Sequence, residues 1–241
     1  MAIELRNVEA FQRAINAVSC FISEGNFRFN DKGISLKALD PSQIVLVDYV
    51  AEKSMFEKFE IEPTFVGIDL VELSKILNRV QPKDRLTMDL TDSELLLDFD
   101  GEISRSFSLP LIEVAEEEIN TPSTRFDCRI EIFGRIFKEI LKDASLFGSA
   151  VVLRAKNNEL VVEARGTSGN LKAVTKGAKG IVVKNSADVV SKYSLNFLQN
   201  IVREADLEKK IILELKSDAP MKVSFEIGGS EINFHLAYMI L

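Results

Sequence analysis

The sequence holds few of the side chains from which metal and redox sites are built. It has two cysteines, Cys20 and Cys128, one histidine, His235, and no tryptophan. So few thiols and imidazoles exclude a cysteine-rich zinc module or a disulfide scaffold and fit a reducing compartment. No apolar run approaches the roughly 20 residues that span a bilayer. The N-terminal stretch MAIELRNVEAFQRAINAV lacks an apolar core and a cleavage site, so no targeting signal is expected and a cytoplasmic location is. Positive charge is also short: 30 Lys and Arg face 37 Asp and Glu, a formal net charge of −7. That balance argues against a protein that wraps nucleic acid by bulk charge, while leaving room for a local basic surface.

Signature loops of enzymes are missing as well. No GxxxxGK[ST], GxGxxG, HExxH or GxSxG pattern occurs. His235 has no second His or Cys at ligand spacing, and its neighbours Ile232, Phe234, Leu236 and Tyr238 read as a C-terminal strand. The glycines of GTSGNLKAVTKGAKG (166–180) read as turns around a short strand, not as a phosphate cradle opening a helix. No catalytic residue, metal or cofactor is expected.

What the chain does contain is a repeat. It has 241 residues, 46% hydrophobic and 28% charged, which are values of a globular protein. DLVELSKILNRVQPKDRLTMDL (69–90) matches SLNFLQNIVREADLEKKIILEL (194–215) at a constant offset of 125 positions. Asp69 and Ser194 stand as matching helix N-caps. Leu70, Leu73, Ile76, Leu77 and Val80 pair with Leu195, Leu198, Ile201, Val202 and Ala205, the apolar face of a helix. Leu86, Met88 and Leu90 then pair with Ile211, Leu213 and Leu215 at strand period. Upstream, an amphipathic helix near 9–22 matches one near 133–145, and each is followed by a strand–turn–strand pattern. The fold class is therefore α+β: two tandem copies of one domain, each with antiparallel sheets and two helices. The predicted division is 1–112, a connector at 113–125 and 126–241. Both helices of a copy are expected on one face of a sheet.

The connector IEVAEEEINTPSTRF carries the Glu116-Glu117-Glu118 run and an isolated apolar residue, Ile119. The predicted helix spans 9–22, 69–80, 133–145 and 194–205 hold seven basic and six acidic residues, a net of +1, while the remainder carries −8. Their polar faces show Arg13, Lys75, Arg79, Arg135, Lys138, Lys142 and Arg203 among Asn and Gln. Two readings stand: ordinary solvated helix faces, or a mildly basic surface repeated four times that touches phosphates without reading sequence.

FISEGNFRFNDKGISLKALDPSQIVLVDY (21–49), LVELSKIL (70–77), SDAPMKVSFEIGG (217–229) and FHLAYMIL (234–241) carry a resemblance. Over essentially its whole length the chain resembles the archaeal and eukaryotic DNA sliding clamp, the proliferating cell nuclear antigen family. The resemblance implies a clamp-domain fold in which subunits, identical or paralogous, close as a trimeric ring around duplex DNA. It implies a non-enzymatic processivity factor, intracellular and nucleoid-associated. DNA polymerase, flap endonuclease, DNA ligase and the clamp loader would dock on it through short peptide motifs. The seven basic residues named above would face DNA. A strand in 103–111, with Ser106, Phe107 and Leu109, would join a strand in 170–175 of the next subunit, with Leu171, Ala173 and Val174. Carried over position by position, the peptide pocket would comprise Leu39, Gln43, Ile44, Leu46, Ile119, Pro122, Ala219, Pro220, Leu236, Ala237 and Tyr238. Ordinary strand core is the competing reading for Leu39, Ile44 and Leu46. Tyr238 replaces a proline of the family pattern, and His235 stands where the family has an aromatic, which points to an altered pocket mouth. Two other functions compete with the clamp: a carboxylate-metal nuclease, and a protein-only adaptor that would suit the acidic pI of about 5.0.

Overall fold

A computed structural model describes residues 2–5, 7–115, 119–121, 123–175 and 180–241. The chain falls into two compact units, Met1–Asn120 with Glu226–Ile232, and Thr121–Phe225 with Asn233–Leu241. No helix among the described residues is long and apolar enough to cross a membrane.

In the first unit the elements run β1 (Ala2–Leu5), α1 (Val8–Ser19), β2 (Glu24–Asn30), β3 (Gly33–Leu39), β4 (Val45–Glu52) and β5 (Phe56–Glu60). They continue with β6 (Thr64–Asp69), α2 (Leu70–Leu77), β7 (Arg85–Leu90), β8 (Glu94–Asp100) and β9 (Arg105–Pro110). One antiparallel sheet has the order β5-β1-β7-β8-β9, and β4-β3-β2-β6 form a second run. Alternation sets the inward face: Leu95, Leu97 and Phe99 of β8 are buried, while Asp98 and Asp100 point to solvent.

The second unit repeats this order with β10 (Cys128–Phe133), α3 (Gly134–Ala144), β11 (Ala150–Lys156), β12 (Glu159–Gly166), β13 (Gly169–Val174) and β14 (Ile181–Asn185). Next come β15 (Val189–Ser194), α4 (Leu195–Val202), β16 (Lys210–Leu215), β17 (Met221–Ile227) and β18 (Ser230–Leu236). One sheet has the order β13-β12-β11-β15, and β14-β10-β16-β17 form the other run.

The two helices of each unit pack on each other, but not on one sheet only, as the sequence reading expected. Helix α2 touches β2 and β6 of one run and β9 of the other sheet, and α3 touches β10 as well as β12 and β13. Each unit has two sheets with apolar inner faces, and the helix pair is in contact with both. On α1 the buried residues Phe11, Ala14, Ile15 and Val18 supply that contact face.

Helix starts differ from expectation in one respect. Asp69 caps α2 as read, its Oδ1 accepting from Glu72 N at 2.9 Å, and Asn7 caps α1 by accepting from Ala10 N at 3.0 Å. Ser194 makes no side-chain cap. Leu195 N donates to Ser149 O at 2.9 Å, just as Leu70 N donates to Ser23 O at 2.8 Å at the start of α2, so in both units a neighbouring loop takes the first orphan donor. Helix α3 likewise starts on Phe133 without a side-chain cap, and Gly134 N and Arg135 N each donate to the 207–209 segment at 2.9 Å. That segment lies so close that a Cβ on Gly134 would meet Asp206 O at 2.2 Å, which is why this helix opens on glycine.

Candidate nucleic-acid and partner surfaces

The helices end earlier than the periodicity suggests. Arg79 falls beyond α2, in the turn before Pro82, and Arg203 is the residue just past α4. Proline at 82 disfavours continuation of the helix into the residue before it. Arg79 and Arg203 therefore sit in terminal turns, not on helix faces. Arg13, Lys75, Arg135, Lys138 and Lys142 do lie on helices.

Most of these cations have an anion beside them. Lys75 Nζ lies 2.6 Å from Glu72, Arg203 3.4 Å from Glu204, Arg135 3.5 Å from Glu208 and Lys142 3.9 Å from Glu139. The hydrogen bond that Lys75 donates to Glu72, together with the Glu72 charge, raises the Lys75 pKa above its ordinary value. Lys138 is committed differently. Its Nζ donates to Arg203 O at 2.9 Å and Ala205 O at 2.7 Å, satisfying carbonyls at the end of α4. The neutral polar residues are committed too. Gln12 Nε2 and Asn16 Nδ2 both donate to Asn78 Oδ1 at 2.9 Å, and Ser74 Oγ donates to Asn16 Oδ1 at 2.7 Å. Arg13 is half-buried on α1. The polar sides of the helices thus carry nearly balanced charge fixed by local partners. The Glu72–Lys75 and Glu139–Lys142 pairs were visible as three-residue spacings. The Glu208–Arg135 pair and the Lys138 contacts span too much sequence to be read.

The edges come next. β9 ends the five-stranded sheet and β13 ends the four-stranded one. Phe107 and Leu109 face inward, paired with Leu97 and Leu95, and Phe107 meets the Phe99 ring edge-on at 5.7 Å. Leu109 is buried within its own unit, so it holds β9 from behind instead of projecting across the edge. Ser106 is exposed. On β13, Leu171 and Ala173 are half-buried, while Val174 is 49% exposed. Arg105 ties β9 to the turn after α2: Nη1 donates to Arg79 O at 2.7 Å and Nη2 pairs with Asp84.

Of the predicted pocket residues, Leu39 and Ile119 line one cleft of about 980 Å³ in the first unit, together with Gly25, Asn26, Phe65 and Val114. Leu39 is 38% exposed and Leu46 is buried. Between them lies a loop organised by Asp40. Its carboxylate accepts from Val45 N at 2.5 Å, Ile44 N at 2.7 Å, Ser42 N at 3.1 Å and from Ser42 Oγ. Burial by itself would raise the Asp40 pKa, but the hydroxyl and three amides outweigh it and hold the carboxyl below its ordinary value of 3.8. The loop presents Gln43 exposed, with a left-handed φ of 58°, and Ile44 half-buried. Sequence reasoning did not assign a role to Asp40, although an Asp opening D-P-S-Q is a recognisable turn signal.

The remaining predicted pocket residues belong to the second unit, except Pro122, which lies outside the described residues. Ala219 and Pro220 are half-buried before β17, with Tyr193 donating to Ala219 O at 3.0 Å. Leu236 is fully buried at the end of β18, Ala237 is half-buried and Tyr238 is 42% exposed. His235 is buried on β18. Met239 N donates to Lys192 O at 2.7 Å, so the tail runs beside β15. Among the described residues, no three His, Cys, Asp or Glu side chains gather as a metal site would need.

Two tandem α+β units, each with a helix pair against antiparallel sheets, define the architecture of a DNA clamp. The family models agree: the proliferating cell nuclear antigen N-terminal domain matches residues 1–116 and the C-terminal domain matches 120–240. The chain belongs to the proliferating cell nuclear antigen family. It is 33% identical over 221 residues to "DNA polymerase sliding clamp 1" of Thermococcus kodakarensis, covering 90% of this chain and 89% of that one. It is 28% identical to the "DNA polymerase sliding clamp" of Pyrococcus furiosus, covering 93% and 92%. Among solved structures, proliferating cell nuclear antigen from Thermococcus kodakaraensis superposes with a TM-score of 0.94 at 24% identity, covering 99% of both chains. The Entamoeba histolytica protein gives 0.91 at 24% identity, over 99% of this chain and 98% of that one. At that identity the superpositions speak for the fold.

Proposed function

We propose that this chain is a DNA sliding clamp: a non-catalytic, ring-forming processivity factor for DNA polymerase. The observation that carries the reading is the twice-repeated helix pair whose cations are locally balanced. A clamp that slides must not bind phosphates tightly, because counterion release on tight binding would hold it in place. Lys75, Lys142, Arg135, Arg13 and the terminal-turn residues Arg79 and Arg203 would face duplex DNA, and Lys75, Lys142, Arg135 and Arg203 are each weakened as phosphate ligands by a neighbouring glutamate. Lys138 would contribute through helix geometry more than through direct contact. Clamp domains at 1–112 and 126–241, joined by a connector at 113–125, would each contribute one helix pair. β9 and β13 would provide the subunit edges of a trimer.

Short peptides of polymerase, flap endonuclease, ligase and clamp loader would dock beside the connector. In the first unit Leu39, Ile119 and the Asp40-ordered loop with Gln43 and Ile44 would receive them, and Ala219, Pro220, Ala237 and Tyr238 of the second unit stand as further candidate contacts. Leu46 and Leu236 would act from within the core, and Pro122 would belong to the connector side. Such work would be carried out inside the cell, with the nucleoid.

The test is loading on nicked circular DNA with a cognate clamp loader, followed by polymerase extension. Lys75→Glu, Arg79→Glu and Lys142→Glu together should cut retention and stimulated synthesis. Lys138 is left intact because its loss would perturb α4. Full loading and stimulation by the triple variant would remove the DNA-facing assignment. Ile119→Asp should weaken partner peptides in a binding titration while leaving assembly unchanged.

A further inference from the structure

Strand β15 holds two segments of the second unit that the docking of partner peptides would use. It ends its four-stranded sheet, and its side chains bond the turn at 216–220 that joins β16 to β17. Ser191, 1% exposed, uses its hydroxyl twice: Oγ donates to Lys216 O at 3.0 Å and accepts from Asp218 N at 2.8 Å. Tyr193 is fully buried and donates its hydroxyl to Ala219 O at 3.0 Å. Val190 N donates to Ser217 Oγ at 3.0 Å. Every residue from Lys216 to Ala219 is thus bonded to β15. Between the two hydroxyls, Lys192 O accepts from Met239 N at 2.7 Å and Lys192 Nζ donates to Ile240 O at 3.2 Å. The same strand therefore anchors the tail just past Ala237 and Tyr238.

Two observations set this arrangement apart from ordinary packing. The first is backbone strain: Asp218 holds a left-handed φ of 49°. A non-glycine residue keeps such a conformation where its surroundings over-determine it, and ligand clamps are among the places where that happens. Here one hydroxyl, that of Ser191, grips both the Asp218 amide and the carbonyl two residues before it. The second is the other copy of the repeat. At the offset of 125, Ser191, Lys192 and Tyr193 correspond to Val66, Gly67 and Ile68 of β6. The backbone pairing is common to both copies, since Gly67 O accepts from Ile112 N at 3.0 Å. The hydroxyls are not, for β6 carries two apolar side chains where β15 carries a serine and a tyrosine. Burying two hydroxyls in place of hydrocarbon costs desolvation unless each is bonded, and both are bonded to the one turn. Burial pushes the Tyr193 phenol up to about 12, so at neutral pH it keeps its proton and remains a donor.

We infer that Ser191 and Tyr193 are positioning residues for peptide docking: they preset the 216–220 turn so that Ala219 and Pro220 are displayed before a partner arrives. The inference rests on the proposed docking of partner peptides, and adds residues that govern affinity without touching the partner. Both side chains are buried, so a peptide does not contact them. Ala219 and Pro220 are half-buried and within reach. Pro220 biases Ala219 to extended backbone, so the direction in which the pair points is set at Asp218, the residue that Ser191 grips. A surface ordered in advance has less entropy to lose when the complex forms. A turn that is correctly formed only part of the time weakens the apparent affinity by that fraction.

The experiment titrates a fluorescein-labelled peptide, the docking segment of the cognate DNA polymerase, with the full chain and reads its anisotropy. Three forms are compared: unaltered, Ser191→Ala and Tyr193→Phe. Each variant removes one hydroxyl and leaves the rest of the strand in place. If the turn is then formed about a tenth of the time, the peptide should bind about tenfold more weakly. The amide signals of Asp218 and Ala219 should move in each free variant. On saturation with peptide they should return to the positions they hold in the unaltered complex. A residue that served stability alone would lower the melting temperature and leave affinity and these signals unchanged. Where circular dichroism shows that Ser191→Ala has lost its fold, Tyr193→Phe, which keeps the ring, decides. Equal affinity in all three forms, or weaker binding without movement of the 218–219 signals, would overturn the positioning role and leave the docking reading standing. An unaltered chain that does not bind the peptide would overturn the docking reading and the positioning role together.

Discussion

The two units solve one mechanical problem with different chemistry. Gln12 and Lys138 each occupy the fifth position of their helix, counted from Val8 and Gly134. Each reaches across to the end of the companion helix. In the first unit the reach is neutral: Gln12, Asn16, Asn78 and Ser74 form an amide and hydroxyl clasp between α1 and α2. In the second it is cationic: Lys138 binds two carbonyls past α4, and Gln199 Nε2 donates to Leu141 O at 3.3 Å. The difference teaches that a basic residue on a helix surface is not automatically a free charge. The cation at this position is spent on backbone carbonyls that the amide version does not need to reach.

The contrast can be broken most severely at the start of the first helix of each unit. Val8 opens α1, while Gly134 opens α3 beneath the 206–209 segment. Gly134→Val should destabilise the second unit by about 3 kcal/mol, because backbone must move to admit the side chain. Urea unfolding followed by circular dichroism reads this, and Val8→Gly in the first unit should cost less.

The clasp itself comes next. Lys138→Met keeps the apolar stem but removes two charge-assisted hydrogen bonds, and should cost about 2 kcal/mol. Asn78→Ala removes a neutral acceptor shared by two amides and should cost about 1 kcal/mol. Equal costs in the same urea measurement would erase the distinction between the clasps.

The smallest effect is acid sensitivity confined to one unit. Between β3 and β4 the first unit has the Asp40 loop, whereas β12 and β13 of the second join by the short turn at Thr167 and Ser168. A carboxyl with a depressed pKa contributes stability above its ordinary value of 3.8 and loses it as pH falls below that through the folded pKa. The amide signals of Ile44 and Val45 should therefore stay fixed at neutral pH and shift only below pH 3.8. Those of the 167–168 turn should not follow. Movement of Ile44 and Val45 at higher pH would contradict the hydrogen-bonded carboxylate.

The repeat, the four helices and the strand–turn–strand patterns were legible because each depends on residues a few positions apart. The apolar face Leu70, Leu73 and Leu77 announces α2, and the same pattern at Leu195, Leu198 and Ile201–Val202 announces α4. The Ser194 cap was misread for the opposite reason. A serine before a helix is a cap by local rules, yet Ser194 makes no cap bond, while a distant carbonyl holds the first amide of both α2 and α4. Arg79 and Arg203 were placed on helices because apolar spacing continues through Val80 and Ala205 into terminal turns. In the candidate pocket, residue types were readable from the family pattern, but not that Leu46 turns inward while Leu39 stands 38% exposed.

By itself the sequence determined the two-copy α+β plan, the family and the low charge of the helix spans, since periodicity and composition are local properties. Tertiary structure decided which charges are free. Whether Lys138 meets solvent or the carbonyls of Arg203 and Ala205 depends on the packing of α3 against α4. Which side chains of β9 and β13 face inward and which face solvent depends on strand register, which assigns every side chain to one face or the other.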